Sequence, residues 1–213
     1  MADPKKMYYE KRGKILVKNL KDRHFDAWYC ETKEEALAKA LEQIPAGASV
    51  SWGGAMSAQQ IGLQDAVRSG DFRLLDPSLC ATKEEKAALY KQALTCDVFI
   101  TGANAMSLTG QMVNIDGTGN RLAAINYGPD TVLVIVGMNK VEDTLDAAVA
   151  RARTVAAPMN KQRFDQNNTP CAVNGVCGNC HGEGCICNQI LVTRHCRPVG
   201  RIKFILVGEE LGL

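Results

Sequence analysis

Residues 97 to 121 read DVFITGANAMSLTGQMVNIDGTGNR and carry the clearest structural signal in this sequence. They begin with the apolar run Val98, Phe99 and Ile100, which predicts a strand buried on both faces. Two loops rich in Gly and Asn follow, and residues 121–127 then read as another strand. Loops at strand ends carry the ligand-binding groups of α/β sheets. We therefore expect the ligand site of this protein in these loops.

Strand and helix patterns alternate along the rest of the chain. The expected strands cover residues 25–31, 48–52, 72–76, 97–101, 121–127, 131–137, 190–193 and 202–207. The expected helices cover residues 4–22, 32–44, 57–70, 82–95 and 144–157, with capping-box starts at Thr32, Ser57 and Thr82 and a last end at Pro158. This order predicts an α/β fold: an open, mainly parallel sheet with helices on both faces, plus a Cys-rich C-terminal segment. We treat residues 1–213 as one domain, with an N-terminal helical extension over 1–45 and a Cys-rich, metal-binding insert over 164–196.

Composition and charge place the chain among soluble globular proteins. It is 46% hydrophobic and has a formal net charge of +2, without a basic run with interleaved aromatics, so we expect no nucleic-acid partner. No apolar run is long enough to span a membrane, and the N-terminal MADPKKMYYEKRGK lacks the apolar core of a signal peptide. We therefore expect a cytoplasmic protein with no membrane partner.

Six polar or glycine positions fall within eight residues of the central loops and form the first part of the expected site. They are Asn114, Asp116, Gly117, Gly119, Asn120 and Arg121. An Asp beside amides and an Arg supplies an acceptor, donors and a fixed cation, which suits a carboxylate, phosphate or polyol and the movement of a proton. The glycines permit close approach of the backbone to a ligand. The alternative is a simple hairpin, because Asp116-Gly117 is a strong turn dipeptide.

Three other segments follow expected strands and supply the second part of the site. Their candidate residues are Gly53, Gly54, Ser57, Gly102, Asn104 and Lys140. The segment 53–57 combines a glycine turn with a helix start and can aim backbone N–H groups at an anion. The alternative is an ordinary turn followed by an N-cap. Parallel strands end at one sheet edge, so we expect these residues near Asp116 and Arg121. Asp116 and Lys140 are the candidate catalytic groups, although Lys140 can also be an anion clamp or a solvated lysine.

The cysteines predict a metal site. Six of the nine lie in the pattern Cys171-x5-Cys177-x2-Cys180-x4-Cys185-x-Cys187-x8-Cys196. In a reducing compartment such a cluster indicates metal ligands or redox thiols before disulfides. Four thiolates at this spacing suit either zinc or an iron–sulfur cluster, and free or structural cysteines are the alternative. The scattered Cys30, Cys80 and Cys96 are expected to fill the core.

Three segments of the sequence resemble the LUD domain, which is found in lactate utilization proteins of bacteria. They read SWGGAMSAQQIGL (51–63), DVFITGANAMSLTGQMVNIDGTGNRLAAINYGPDTVLVIVGMNK (97–140) and VAAPMNKQR (155–163), and the resemblance extends over approximately the whole chain. It implies a fold similar to the ribose-5-phosphate isomerase and CoA-transferase superfamily. It also implies a link to oxidation of lactate to pyruvate, in a multiprotein system with iron–sulfur partners, and brings no firm catalytic mechanism.

The Cys-rich segment resembles the pattern PCA…GxCxxC…CICN of some LUD-family sequences. The matching positions are Cys171, Cys177, Cys180 and Cys187, which this resemblance makes the candidate metal ligands. Cys185 is then an additional ligand or a resolving thiol, and the role of Cys196 is open. Members similar to lactate utilization protein C lack the segment, so their role does not transfer directly.

The sequence is compatible with three functions. The first is a redox-associated component of lactate or related 2-hydroxy-acid utilization, with a small anionic ligand and a thiolate-bound metal. The second is an isomerase- or transferase-like enzyme that acts on a small phosphorylated or acyl substrate, with zinc bracing the C-terminal segment. The third is a non-catalytic binding or assembly subunit, and for all three a homo-oligomer is one of the open states.

Overall fold

The computed structural model describes residues 3–164 and 168–213, so Met1, Ala2 and part of the expected Cys-rich insert (165–167) lie outside the described residues. Its strands are β1 (Asp26–Cys30), β2 (Ser49–Gly53), β3 (Arg73–Leu75), β4 (Val98–Gly102), β5 (Ala105–Ser107), β6 (Met112–Asp116), β7 (Thr131–Gly137), β8 (Val141–Glu142), β9 (Gln189–Thr193) and β10 (Ile202–Val207). Its α-helices are α1 (Pro4–Lys21), α2 (Lys33–Leu41), α3 (Met56–Gln60), α4 (Leu63–Ser69), α5 (Lys83–Gln92), α6 (Asn120–Asn126), α7 (Leu145–Arg151), α8 (Ala157–Lys161) and α9 (Pro170–Asn174). None of these helices has the length and apolar character needed to cross a membrane.

The main sheet contains six strands, all parallel, in the order β1-β10-β7-β4-β2-β3. The run TVLVIVG forms the interior strand β7 because alternate residues feed two separate cores. Val134 belongs to the core that contains α1 and α6, whereas Ile135 belongs to the core that contains α2, α3 and α4. A strand buried on both faces reads as a continuous apolar run. The predicted α/β fold with helices on both faces is confirmed.

The protein also has a second, four-stranded sheet in the order β8-β5-β6-β9, which the sequence did not predict. The strands β5 and β6 form an antiparallel hairpin, and β9 from the C-terminal part of the chain adds antiparallel to β6. Much of the stretch that we read as loops is therefore strand. The pairing of β6 with β9 joins residues far apart in sequence, so local patterns do not reveal it.

The strand predicted at residues 121–127 is wrong, because this segment forms the helix α6. Leu122 and Ile125 stand three positions apart and both pack into the core on one face of the main sheet. A left-handed backbone at Gly119, with φ of 84°, turns the chain into this helix. The simple hairpin at Asp116-Gly117 is also absent from the described residues, since β6 leads into α6 there.

The capping box predicted at Ser57 is wrong as well. Helix α3 begins at Met56 after Ala55, so Ser57 lies inside the first turn, and its hydroxyl accepts a hydrogen bond from Lys140 instead. Gly62, with φ of 80°, then separates α3 from α4. The helix starts at Thr32 and Thr82 are confirmed, and the hydroxyl of each caps its own helix.

Pro158 does not end the helix that begins after Thr144, contrary to the prediction. A π-helical segment, Ala152–Ala156, joins α7 to α8, and Pro158 lies in the first turn of α8. A proline has no N–H to donate, so this continuous helical segment lacks one backbone hydrogen bond at Pro158. The extension carries Lys161 to a buried position beside the Cys-rich segment.

Candidate functional site

A cleft of about 640 Å³ opens where three neighbouring parallel strands of the main sheet end. The strand β2 leads into Gly53, β4 leads into Asn104, and β7 leads into Lys140. The cleft brings together eight of the twelve residues singled out from the sequence: Gly53, Gly54, Asn104, Asp116, Gly117, Asn120, Arg121 and Lys140. The other four, which do not line it, are Ser57, Gly102, Asn114 and Gly119.

Two of those four support the floor of the cleft from behind. Asn114 is fully buried, and its side-chain amide donates to the carbonyl of Gly102 at 3.0 Å. The Oδ1 atom of Asn114 has no hydrogen-bond partner within the described part of the chain. Both residues therefore act on the site through the backbone that carries Asn104.

Arg121 is buried at the base of the cleft, with only 8% of its surface exposed. Its Nη2 donates to Asn104 Oδ1 at 3.2 Å and to the carbonyl of Ile115. Burial lowers the pKa of the guanidinium, and the charge of Asp116 opposes that shift. An arginine nevertheless keeps its charge in proteins. Gly54 lies directly against the guanidinium, with φ of 58°, so a side chain there would collide with it.

Lys140 is the second buried cationic residue of the cleft and is 4% exposed. Its Nζ donates to the carbonyl of Ala103 at 3.2 Å and to Ser57 Oγ at 3.3 Å. Burial lowers its pKa to about 7, and the positive charges of Arg151 and Arg121 add to this effect. Lys140 is thus divided between its charged and neutral forms near neutral pH.

Neither buried cation forms an ion pair with a described Asp or Glu. Among residues 3–164 and 168–213, no Asp or Glu carboxylate oxygen lies within 4.0 Å of the side-chain nitrogens of Arg121 or Lys140. A buried charge without a partner is costly, so proteins pair such charges or bind counter-ions with them. The base of the cleft is consequently an anion-binding environment.

Asp116 is one of two acidic residues that line the cleft, with Glu183, and its carboxylate accepts hydrogen bonds from the backbone. Oδ2 accepts from the N–H of Arg121 at 3.1 Å and from that of Leu122 at 3.4 Å, while Oδ1 accepts from Gly117 at 3.1 Å. The first two contacts satisfy N–H groups at the start of α6, which have no partner within the helix. This geometry makes Asp116 a helix cap, and the proton transfer suggested by the sequence stays a prediction.

Several residues that line the cleft were not found by sequence reasoning. They come from α5, from the end of the α7–α8 region and from the Cys-rich segment: Lys86, Tyr90, Asn160, Arg163, Phe164, Glu183, Ile186 and Asn188. A further cation, Arg151, does not line the cleft but donates to the carbonyl of Asn104 at 2.6 Å. Arg163 lies in the segment VAAPMNKQR, which was already singled out in the sequence. No local sequence pattern, however, indicated that this segment reaches the cleft.

Five of the six clustered cysteines line a second, smaller cavity of about 90 Å³. They are Cys171, Cys177, Cys180, Cys185 and Cys187. The sixth, Cys196, is buried in the core of the main sheet. Cys30 and Cys96 are core residues as predicted, whereas Cys80 is half-buried and belongs to none of the hydrophobic clusters in the described residues.

The donor set of the small cavity suits a soft metal ion or cluster. Arg153 and Lys161 also line it, and no described carboxylate does, so the surroundings favour negatively charged sulfur. Burial and the neighbouring thiols raise the pKa of Cys187 to about 12, so a bound cation is needed to keep it deprotonated. Within the described residues, no three His, Cys, Asp or Glu side chains converge closely enough to hold an ion as they stand. The five cysteines therefore suit a thiolate site by their chemistry, but their side chains do not have the arrangement of metal ligands.

The two cavities share a wall. Cys185 and Ile186 line both of them. The next part of the segment is tied to the cleft, because the backbone N–H of Asn188 donates to the carbonyl of Asp116 and its side-chain amide donates to the carbonyl of Gly117, each at 2.9 Å. A change in the Cys-rich segment therefore reaches the cleft through two or three residues.

Comparison with known proteins finds one family model and several solved structures that are similar to this chain. The model of the LUD domain family matches residues 13–207. Among solved structures, a DUF162 family protein from Deinococcus radiodurans is 12% identical with a TM-score of 0.54, over 93% of this chain and 97% of that chain. Ribose 5-phosphate isomerase A from Neisseria gonorrhoeae is 20% identical with a TM-score of 0.35, over 53% of this chain and 54% of that one. No curated protein matches the chain.

Proposed function

The chain belongs to the LUD domain family, and on that premise we propose that its cleft binds a small carboxylate as part of lactate or related 2-hydroxy-acid utilization. The observation that carries the proposal is the pair of buried cations, Arg121 and Lys140, without an acidic partner among the described residues. An anionic ligand would supply the missing charge. Its binding would offset the cost of keeping both cations away from water.

The chemistry of the cleft favours a carboxylate with a neighbouring oxygen. The guanidinium is a charged donor for a carboxylate oxygen, and the hydrogen bonds of its Nη2 to Asn104 and Ile115 fix its orientation. The amides of Asn104 and Asn120 can hydrogen-bond a hydroxyl or keto oxygen. The cleft volume of about 640 Å³ lies in the usual range for small-molecule sites and leaves room beyond a three-carbon acid.

The Cys-rich segment supplies the second part of the proposal. Cys171, Cys177, Cys180 and Cys187 would hold a metal ion or an iron–sulfur cluster, with Cys185 at the wall shared with the cleft. When bound, a cluster supplies electron transfer, whereas zinc supplies structural bracing. The cations Arg153 and Lys161 would stabilise the charge of the thiolates. Such a set of thiols fits a reducing compartment, so the proposal includes the cytoplasm and iron–sulfur partner proteins.

Calorimetric titration with L-lactate, pyruvate and inorganic phosphate tests the ligand class. We expect a carboxylate to bind, and we expect Arg121→Met to weaken that binding about tenfold or more, because a charge-assisted contact is lost. The matched control is Arg194→Met, an exposed arginine away from the cleft. Equal affinity in the wild type and Arg121→Met, or binding of none of the three anions, would overturn the proposal.

The visible spectrum of anaerobically purified protein, together with metal analysis, tests the second part. Broad absorption that dithionite bleaches indicates an iron–sulfur cluster and supports the redox role. A colourless protein that contains zinc leaves the carboxylate site in place but removes electron transfer from the proposal.

A further inference from the structure

We propose that Lys140 forms an imine with the ketone of a 2-oxo acid held in the cleft. The inference rests on the carboxylate site proposed above and adds a covalent step to it. In this step Lys140 acts as a nucleophile, whereas an anion clamp or a general base forms no covalent bond to the ligand.

The hydrogen bonds of Lys140 match a neutral amine better than an ammonium. A neutral amine has two N–H groups and one lone pair, whereas an ammonium has three N–H groups and no lone pair. The nitrogen has two acceptors, the carbonyl of Ala103 and the hydroxyl of Ser57. Both N–H groups are then satisfied, and the lone pair is free to attack an electrophile. A third N–H would be buried without a carboxylate partner.

The side chains of Lys140 and Arg121 line the same cleft and are hydrogen-bonded to two consecutive residues, Ala103 and Asn104. Lys140 is anchored on the first of these two residues, and Arg121 on the second. A 2-oxo acid carries its carboxylate and its ketone on adjacent carbons, so a carboxylate on Arg121 presents the ketone to the amine. A 2-hydroxy acid has no electrophilic carbon at that place.

The step balances without an oxidant or a reductant. The lone pair of Lys140 Nζ attacks the ketone carbon, a C–N bond forms, and the electron pair of the C=O bond moves to oxygen. A proton passes from the nitrogen to that oxygen, with the hydroxyl of Ser57, 3.3 Å from Nζ, as the nearest relay. The second N–H proton then passes to the same oxygen as the C–O bond breaks, so that water leaves and the neutral imine remains. The lowered pKa of Lys140 supports this step, since only the neutral amine can attack.

Borohydride trapping tests the imine. The full-length protein is incubated with pyruvate and sodium borohydride, digested and examined by peptide mass spectrometry. We expect a 1-carboxyethyl group on Lys140, and none when L-lactate replaces pyruvate. Lys140→Met and Lys140→Arg should both lose this adduct, whereas Lys83→Met, which changes an exposed lysine of α5 outside the cleft, should keep it.

The controls separate this inference from the proposed function. Lys140→Arg keeps a cation without a nucleophilic amine, so folded Lys140→Arg protein that binds pyruvate but forms no adduct supports the inference. If wild-type protein binds pyruvate in the calorimeter but borohydride traps no adduct, the imine is overturned and the carboxylate site stands. An adduct spread evenly over exposed lysines overturns the imine as well, because the reaction is then not specific to Lys140.

Discussion

A Cβ atom added to Gly212 would lie 2.7 Å from the Nζ of Lys140 and 2.9 Å from the hydroxyl oxygen of Ser57. Gly212 has φ of 62°, and its N–H donates to Gln60 Oε1 at 2.5 Å. The backbone at Gly212 therefore closes one side of the lysine. Little room is therefore left beside Nζ, in keeping with the burial that lowers the pKa of Lys140.

Gly212→Ala should disturb the lysine more than it disturbs the fold. The new methyl group must displace Lys140 or its own backbone, so we expect weaker carboxylate binding and less borohydride-trapped adduct. The matched control is Gly47→Ala, which has a similar φ of 70° but no neighbour within 4 Å of the added Cβ. Each should lose about 1 kcal/mol in the free energy of unfolding from backbone strain, measured in urea. Equal binding by the two variants would contradict the contact.

The pKa of Lys140 predicts how stability depends on pH. The folded state holds this lysine at a pKa of about 7, below the ordinary value of about 10.4 in an unfolded chain. Between these values the unfolded state binds more protons, so the free energy of unfolding should rise as the pH increases from 7 to 10. Lys140→Met should be more stable than wild type at pH 7 and should lose most of this rise.

Urea unfolding at several pH values measures this effect in both proteins. Arg151 and Arg121, whose charges act on Lys140, stay charged throughout this range and do not add to the slope. Identical slopes in wild type and Lys140→Met would contradict the lowered pKa. The rate of borohydride trapping should rise through about pH 7 as well, since the neutral amine is the reacting form.

Asp116→Asn distinguishes a helix cap from a proton carrier. The substitution keeps an oxygen that can accept from the N–H of Arg121 but removes the charge at the start of α6, so we expect a loss of about 1 kcal/mol in stability with carboxylate affinity retained. Once turnover can be measured, its loss at unchanged affinity would support proton transfer by Asp116. Unaltered turnover would restrict Asp116 to the cap.

Cys187→Ser should remove the metal. Serine is a poor ligand for soft metals, so we expect the metal content per chain and the thermal unfolding midpoint both to fall, as they should when a chelator is added to wild-type protein. Cys80→Ser is the matched control, because Cys80 is half-buried and does not line the small cavity. Wild-type metal content in Cys187→Ser would show that this thiol is not a ligand.

The parts of the fold that follow from local patterns were predictable. The strand β7 alternates its residues between two cores, which makes its sequence continuously apolar, and the cap at Thr82 is read directly from TKEE. The prediction of a strand at residues 121–127 was wrong, because seven residues with a few apolar positions fit a strand as well as a helix. No local sequence pattern indicates the π-helical segment before Pro158, so the proline alone predicted that the helix ends there.

The candidate site was predictable where it depends on strand ends. Gly53, Asn104 and Lys140 meet because β2, β4 and β7 are parallel neighbours, and parallel strands end at one sheet edge. The wall formed by the Cys-rich segment depends on the pairing of β6 with β9, which spans a large sequence separation. Hydrogen bonds such as the one from Asn188 to Gly117 arise from that pairing, so sequence periodicity does not contain them.

Cys185 and Ile186 belong to both cavities, and this has a thermodynamic consequence. If a metal at the thiols changes the position of these two residues, the carboxylate affinity of the cleft changes by some factor. Equilibrium linkage then requires the carboxylate to change the affinity for the metal by the same factor. The amount of acid in the cell would in that way set how firmly the protein keeps its metal.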